Sequence, residues 1–319
     1  MSTATQPIVD ASRAYGSIAR RLQALLADHA QLMKLRVTSL VVASAWCGYF
    51  LAAHKSVVSS FTWHAGYAMA AIGLVSAGAA VLNQVIEREV DARMLRTQRR
   101  PLAAGRLSVP HATGFGLALV LGGSIALAVI TNFVTGLLAL VTAATYLLVY
   151  TPLKPASTLC TFIGAFPGAM PPLLGWTALR GRVEVEAVAL FAILFVWQFP
   201  HFFSIAWLYS EDYERAGIRM LPAVEKDGRS TARKMVRYSL ALIPVSILPA
   251  VLGIAGAAYL AGALVLSCAY LWFSLQLRNL RLAPAAPESK PAARRLLQAS
   301  VLYLPLLFAL LMLSVEFHV

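Results

Sequence analysis

"AGYAMAAIGLVSAGAAVLNQVIEREVDARMLRTQRRPL", residues 65–102, begins as a long apolar run and ends as a file of charges. A membrane-spanning helix needs about 20 mostly apolar residues, and residues 65–86 supply that length. Asn83, Glu87 and Asp91 stand four residues apart, and five arginines lie between Arg88 and Arg100. On a helix, positions i, i+4 and i+8 share nearly one face and rise about 6 Å per step. The three side chains therefore predict an oxygen ladder where an apolar helix leaves the membrane.

The same apolar pattern recurs along the chain. Nine runs are long enough to span: about 38–54, 65–86, 110–131, 134–150, 157–178, 187–208, 238–257, 259–277 and 296–315. The composition agrees. Of 319 residues, 59% are hydrophobic and 13% charged, with mean hydropathy +0.70, against about 25% charged in soluble domains. The expectation is an all-α fold, a polytopic membrane helical bundle of about nine transmembrane helices around a central cavity open to the cytoplasmic side. Residues 38–319 form one transmembrane domain in this reading. Residues 1–37 have no early apolar core of the signal-peptide kind. Arg13, Arg20 and Arg21 interleave with Leu22, Leu25, Leu26 and Leu32, as in a cytoplasmic amphipathic segment lying on the membrane.

The net charge of +13 would suggest nucleic acid in a soluble chain. Its placement argues otherwise. With the N-terminus inside, 24 of the 27 Lys and Arg residues fall in inside segments, and only Lys55, Arg180 and Arg182 fall outside. This is the positive-inside bias of a membrane protein with its N-terminus in the cytoplasm and its C-terminus outside. The basic face suits anionic lipid or an anionic substrate. Cys47, Cys160 and Cys268 sit in apolar runs without a C-x-x-C pair, as small packing residues do.

Two inside loops carry chemistry. Magnesium takes oxygen ligands, commonly one or two carboxylates plus substrate phosphates and water. Asn83, Glu87 and Asp91 offer such oxygens, and Arg93, Arg96 and Arg100 offer guanidinium groups that match phosphate oxygens in pairs. A solvated helix end balanced by arginines has the same pattern, but polar groups at an apolar edge are costly and commonly functional. The second loop, "LYSEDYERAGIRMLPAVEKDG" at 208–228, adds Glu211, Asp212, Arg215 and Arg219 on the same side. Two acidic clusters across one cavity suit a multi-metal diphosphate site; a wet loop of mixed charge is the plainer reading. Between them, "VYTPLKPAS" sets Lys154 four residues after Tyr150. The sixth run ends "FVWQFPHFFSIAW", where Pro200 should loosen the helix. His201 beside it suits a porphyrin iron, a propionate or a proton relay, or an interfacial histidine with a backbone partner.

Together these segments resemble the membrane-embedded aromatic prenyltransferase superfamily, and within it the heme branch, the protoheme IX farnesyltransferases (heme O synthases). The likeness runs from about residue 28 to 240. Asn83, Glu87 and Asp91 match the signature N-x-x-x-D-x-x-x-D with Glu87 in place of Asp, and Tyr150 and Lys154 match Y-x-x-x-K. "DARMLRTQRRPL", "GAFPGAMPPLLGW", "WQFPHF" and "DYERAGIRMLP" are similar to the heme branch. Two departures are visible: Asp212 has Ala216 four residues on, and "KLR" at 34–36 stands where K-P-R is usual. The resemblance implies transfer of a farnesyl group from farnesyl diphosphate to a vinyl group of heme B, with water addition, giving heme O and diphosphate for terminal oxidase cofactor synthesis. It implies Mg2+ held by Asn83, Glu87, Asp91, Glu211 and Asp212, with Tyr150 and Lys154 catalytic. Arg93, Arg96, Arg100 and Lys154 then bind diphosphate, and His201, Arg215 and Arg219 bind heme. The implied setting is the bacterial inner membrane, with a heme A synthase or oxidase assembly protein downstream and no nucleic acid. Alternatives are a prenyltransferase for a quinone precursor or chlorin, a transporter of anionic lipid or metabolite, and a passive oxidase assembly factor.

Overall fold

The computed structural model describes residues 8–315, with side chains from Arg20 onward. Helix α1 is Ile8–Leu32, α2 Leu35–Lys55, α3 Trp63–Ile86 and α4 the short Arg88–Arg93. Then come α5 Val109–Ile130 and α6 Phe133–Ala144, which continues through a π-helical turn, Thr145–Tyr150, into α7 Thr151–Leu153. Next are α8 Cys160–Arg180, α9 Val185–Leu208, α10 Ser210–Arg215 and α11 Leu221–Val224. Helices α12 Arg229–Ser246, α13 Leu248–Val251, α14 Ala257–Asn279 and α15 Lys290–Leu313 complete the order. The described residues hold no strand, only an isolated antiparallel bridge between Ala255 and Val315. The all-α expectation holds.

Eight helical segments among the described residues are long and apolar enough to cross a membrane. The expected run 157–178 is also a helix, α8, but it is not among the eight. It contains Pro167, Pro171 and Pro172 and buries most of its length, including Trp176. A helix enclosed by protein does not need a lipid-compatible surface, so its polar and proline content is tolerated. The expected run 238–257 is displaced: α12 begins at Arg229, and α13 closes the span at Val251. Helix α9 continues unbroken through Pro200.

Local chemistry sets several of the starts. The Thr62 side chain accepts the Ala65 amide at 3.2 Å, and Asn132 Oδ1 accepts the Thr135 amide at 3.0 Å. These caps satisfy amides that a helix start leaves without partners.

Two apolar cores meet along α8. One joins α2, α3, α5 and α6 to α8 through Tyr49, Ile72, Leu127 and Leu174. The other joins α8 and α9 to α12, α14 and α15 through Trp176, Ile193, Tyr270 and Leu307. Between them α2 and α8 cross with almost no separation. A Cβ on Gly48 would stand 1.9 Å from the Pro172 carbonyl oxygen, and one on Gly175 would stand 1.8 Å from that of Ala45. Small residues at such a crossing let helix backbones approach and gain packing that lipid cannot supply.

The two ends of the bundle differ in charge. At one end Lys55, Arg180 and Arg182 each pair with Glu184 or Glu186. At the other end the loops after α3, α7, α9 and α14 come together. Lys154 pairs with Glu87, the Arg219 amide donates to the Lys154 carbonyl at 2.8 Å, and Lys290 donates to the Trp207 carbonyl at 3.1 Å.

Gly48→Ala and Gly175→Ala are each expected to destabilise the protein by about 1–3 kcal/mol, the range for forcing a methyl into a filled space. Gly66→Ala, where a Cβ meets nothing within 4 Å, should be neutral or stabilising. Thermal unfolding midpoints in detergent check this, and equal midpoints for all three variants would remove the crossing as the centre of the fold.

Candidate functional site

The ladder opens on the last turn of α3. Asn83 and Asp91 are each 1% exposed, and Glu87 is nearly covered. The helix is not continuous through them. Glu87 takes φ −91° and ψ 5°, ending α3 before α4 starts. The spacing survives the break because the Asp91 amide still donates to the Glu87 carbonyl at 2.7 Å.

Each oxygen group has a definite partner. Asn83 Oδ1 accepts from Lys34 Nζ at 3.1 Å, and its Nδ2 donates to Thr151 Oγ1 at 3.2 Å. Glu87 meets Lys154 Nζ at 2.6 Å, and that ammonium lies 4.6 Å from the centre of the Tyr150 ring. Asp91 receives Arg100 Nη1 on both oxygens, at 2.8 and 2.7 Å. Thr97 Oγ1 donates to the Asp91 carbonyl at 2.9 Å and so folds the arginine-bearing loop back onto α4.

Two unusual backbone features hold these partners. The π turn over Thr145–Tyr150 ends at Thr151, whose hydroxyl donates to the Tyr146 carbonyl five residues back at 2.8 Å. Such turns recur at functional sites because they re-aim the side chains that follow. Lys34, between α1 and α2, has φ 46° and ψ 51°. A non-glycine residue in this left-handed region is strained, and such strain clusters at binding sites.

The cations outnumber the carboxylates they meet. Burial pushes the Lys34 ammonium down to about 7, and the positive charges of Arg100 and Lys154 add to that. Burial also opposes the charge on Lys154, but Glu87, Tyr146 and Tyr213 together outweigh it and hold that pKa above the usual lysine value.

The second acidic loop joins the site through its backbone. Asp212 accepts the amides of Leu95 and Arg96 at 3.4 Å each and Arg215 Nη1 at 2.8 Å. Arg96 lies over the Tyr209 and Tyr213 rings, 4.9 and 5.1 Å from their centres, and donates to the Tyr213 hydroxyl at 2.9 Å. Arg93, Glu211 and Arg219 are exposed. No hydrogen bond or ion pair takes Arg93 or Glu211 to Asn83, Glu87 or Asp91. Among the described residues, no three His, Cys, Asp or Glu side chains converge as a ready metal cage. The oxygens that do gather (Asn83, Glu87, Asp91) are hard donors of the kind magnesium takes, and each carboxylate is matched to a cation.

Below this charged mouth a cavity of about 320 Å³ runs from Lys34 and Tyr150 toward Ile72, Val75 and Leu174. Thr161 and Leu174 both line it, and at 1.5 Å per residue they lie about 20 Å apart along α8. Phe202 faces this cavity and His201 does not. His201 instead sits on the α15 side, with Nδ1 2.7 Å from Ser300 Oγ and its ring stacked on Trp197. His201 thus stands apart from this cavity, in a contact between α9 and α15. Sequence reading missed Lys34 and Thr151. Lys34 was visible as a basic residue, two before Arg36, at the foot of the first span on the same side as the ladder.

The family model described as "UbiA prenyltransferase family" matches residues 41–301. A protein of Koribacter versatilis named protoheme IX farnesyltransferase is 53% identical over 98% of this chain and 99% of its own. One of the same name from Solibacter usitatus is 43% identical over 90% of this chain and 98% of its own. Among solved structures, that of a digeranylgeranylglyceryl phosphate synthase superposes with TM-score 0.73 at 16% identity, covering 91% of this chain and 98% of that one. A UbiA homologue from Archaeoglobus fulgidus bound to GPP and Mg2+ gives TM-score 0.53 at 15% identity, covering 89% of this chain and 99% of that one.

Asp91→Asn leaves Arg100 half-enclosed without its anion and is expected to destabilise by about 3 kcal/mol, as loss of one partner of a buried pair does. Arg100→Gln on that background should then cost little. A double-mutant cycle on unfolding should return a coupling of about 1–3 kcal/mol; additive effects would mean that the pair contributes nothing as a pair.

Proposed function

This chain belongs to the UbiA prenyltransferase family, and from that premise we propose that it transfers a farnesyl group from farnesyl diphosphate to a vinyl group of heme B, with addition of water, giving heme O and diphosphate. The observation that carries the reading is the junction at the cavity mouth. A cluster of cations and hard oxygens sits directly above a long apolar cavity. Farnesyl diphosphate has the same two parts in the same order.

The diphosphate sits among Lys34, Arg96, Arg100 and Lys154, and the isoprenoid lies along Ile72, Val75 and Leu174. A polyanion beside Lys34 favours its charged form and gives Arg100 and Lys154 new anionic partners. Glu87 and Asp91 are then free, with Asn83 and Asp212, to hold magnesium. When bound, that ion adds positive charge against the leaving diphosphate. The C1–O bond of farnesyl diphosphate breaks with both electrons passing to the diphosphate, whose growing negative charge Arg96, Arg100 and Lys154 stabilise. The vinyl π electrons form the new C–C bond to the allylic cation. Water adds to the carbon left positive next to the macrocycle and releases a proton. The apolar cavity wall keeps other water from the allylic cation. Heme enters at the mouth with its propionates toward Arg215 and Arg219.

In this reading residues 1–37 are a cytoplasmic amphipathic segment at the bacterial inner membrane, and 38–319 are the transferase domain. The unbalanced cations of the site end support a cytoplasmic setting for that end. A single cysteine at Ser108 in a cysteine-free chain should react with a membrane-impermeant thiol reagent only from the inside; reaction from the outside reverses the orientation.

Purified protein with magnesium, heme B and farnesyl diphosphate should release diphosphate and yield a pigment heavier by one farnesyl and one hydroxyl group. With 4-hydroxybenzoate in place of heme, no prenylated product should form. Asp91→Asn, corrected for folded fraction, should lose roughly a thousandfold in turnover, as loss of several kcal/mol of charge stabilisation predicts, while Glu87→Asp should be mild. A prenylated benzoate beside unchanged heme moves the protein to another acceptor class.

A further inference from the structure

A second cavity opens at the same end of the bundle, between the start of α12 and the end of α14, with a volume of about 520 Å³. Its floor is apolar: Trp207 and Leu277 are 1% and 2% exposed. Gly228 brings the loop before α12 onto that floor. Its φ is +67°, and a Cβ there would stand 2.4 Å from the Trp207 ring. The rim is basic: Arg229 and Arg233 from α12, Arg278 from α14 and Arg281 just beyond it.

The charge on this rim is not balanced. Asp227 is the sole carboxylate among the lining residues, so four guanidinium groups against one carboxylate leave a net charge of three. Asp227 is already engaged, accepting the Arg229 amide at 3.1 Å and facing Arg229 Nε at 3.4 Å. The nearby Glu225 is turned to the helix start, where it accepts from the Ser230 and Thr231 amides and the Thr231 hydroxyl. Arg233 Nε reaches only the Arg229 carbonyl. The side chains of Arg278 and Arg281 have neither ion pair nor hydrogen bond among the described residues, and Arg281 is held at φ 52°. Arg233, Arg278 and Arg281, around an aromatic floor and with no carboxylate partner among the described residues, have the chemistry of a phosphate receptor. The location is where helices leave the bilayer, and basic pockets there take lipid headgroups.

We propose that this cavity is a phosphate-binding site separate from the transfer site, and that its ligand is the headgroup of an anionic phospholipid. Acyl chains remain in the bilayer beside α12 and α14 while the phosphate lies among Arg233, Arg278 and Arg281.

The test uses delipidated full-length protein in neutral detergent, titrated separately with dioctanoyl phosphatidylglycerol, dioctanoyl phosphatidylcholine and inorganic phosphate, with binding counted by native mass spectrometry. The paired variant Arg278→Gln/Arg281→Gln breaks no ion pair, so its ligand-free unfolding midpoint should match the parent. Phosphatidylglycerol should bind the parent at least tenfold more tightly than phosphatidylcholine, and the variant should lose at least tenfold. Arg278→Lys/Arg281→Lys, which keeps the charge, should recover part of that loss. Farnesyl transfer by the Gln variant in phosphatidylcholine nanodiscs should be unchanged. Inorganic phosphate that matches phosphatidylglycerol and displaces it keeps the phosphate site and removes the lipid. Equal phosphatidylglycerol binding by parent and Gln variant overturns the proposal.

Discussion

The bundle depends on a place where two backbones touch. Gly48 of α2 and Gly175 of α8 leave no room for side chains between the helices. In lipid the hydrophobic effect does not drive helices together, and close packing of small residues takes its place. That crossing puts α8 inside the protein, where three prolines are tolerated. It also divides the interior into two cores, and the cavity is lined by α2, α3, α6 and α8.

Charge at the mouth follows a second constraint. A carboxylate at the edge of an apolar cavity is expensive unless a cation stands against it. Glu87 has Lys154, Asp91 has Arg100 and Asp212 has Arg215. The cations Lys34 and Arg96 remain beyond these pairs. Lys34 hydrogen-bonds to the neutral Asn83 and has a depressed pKa, and Arg96 rests on two tyrosines. The result is a folded site that is stable without ligand yet short of negative charge. At the opposite end Lys55, Arg180 and Arg182 each already meet Glu184 or Glu186.

The loop from Asp212 to Gly228 connects both basic sites. At its start Asp212 fastens the Leu95–Arg96 backbone, in its middle the Arg219 amide holds the Lys154 carbonyl, and at its end Gly228 closes over Trp207. One segment thus braces the ladder loop and forms a wall of the arginine cavity.

Much of this was legible in local sequence. Runs of about 20 apolar residues determine spanning helices, and the Lys and Arg bias separates the two ends. The four-residue spacing of Asn83, Glu87 and Asp91, and of Tyr150 and Lys154, marks groups that share a helix face. Each of those signals lies within one element. The rest depended on how one helix is rotated against another, which local spacing does not encode. Lys34 reaches Asn83 across 49 residues, and Asp212 reaches Arg96 across 116. His201 and Phe202 are neighbours in sequence, but packing turns one to Ser300 and the other to the cavity. The pattern of residues determined a membrane bundle with an acidic ladder and a basic end. Only side-chain volumes fitted together in three dimensions, with Gly48 against Pro172 at the centre, decided which of those charges share a cavity.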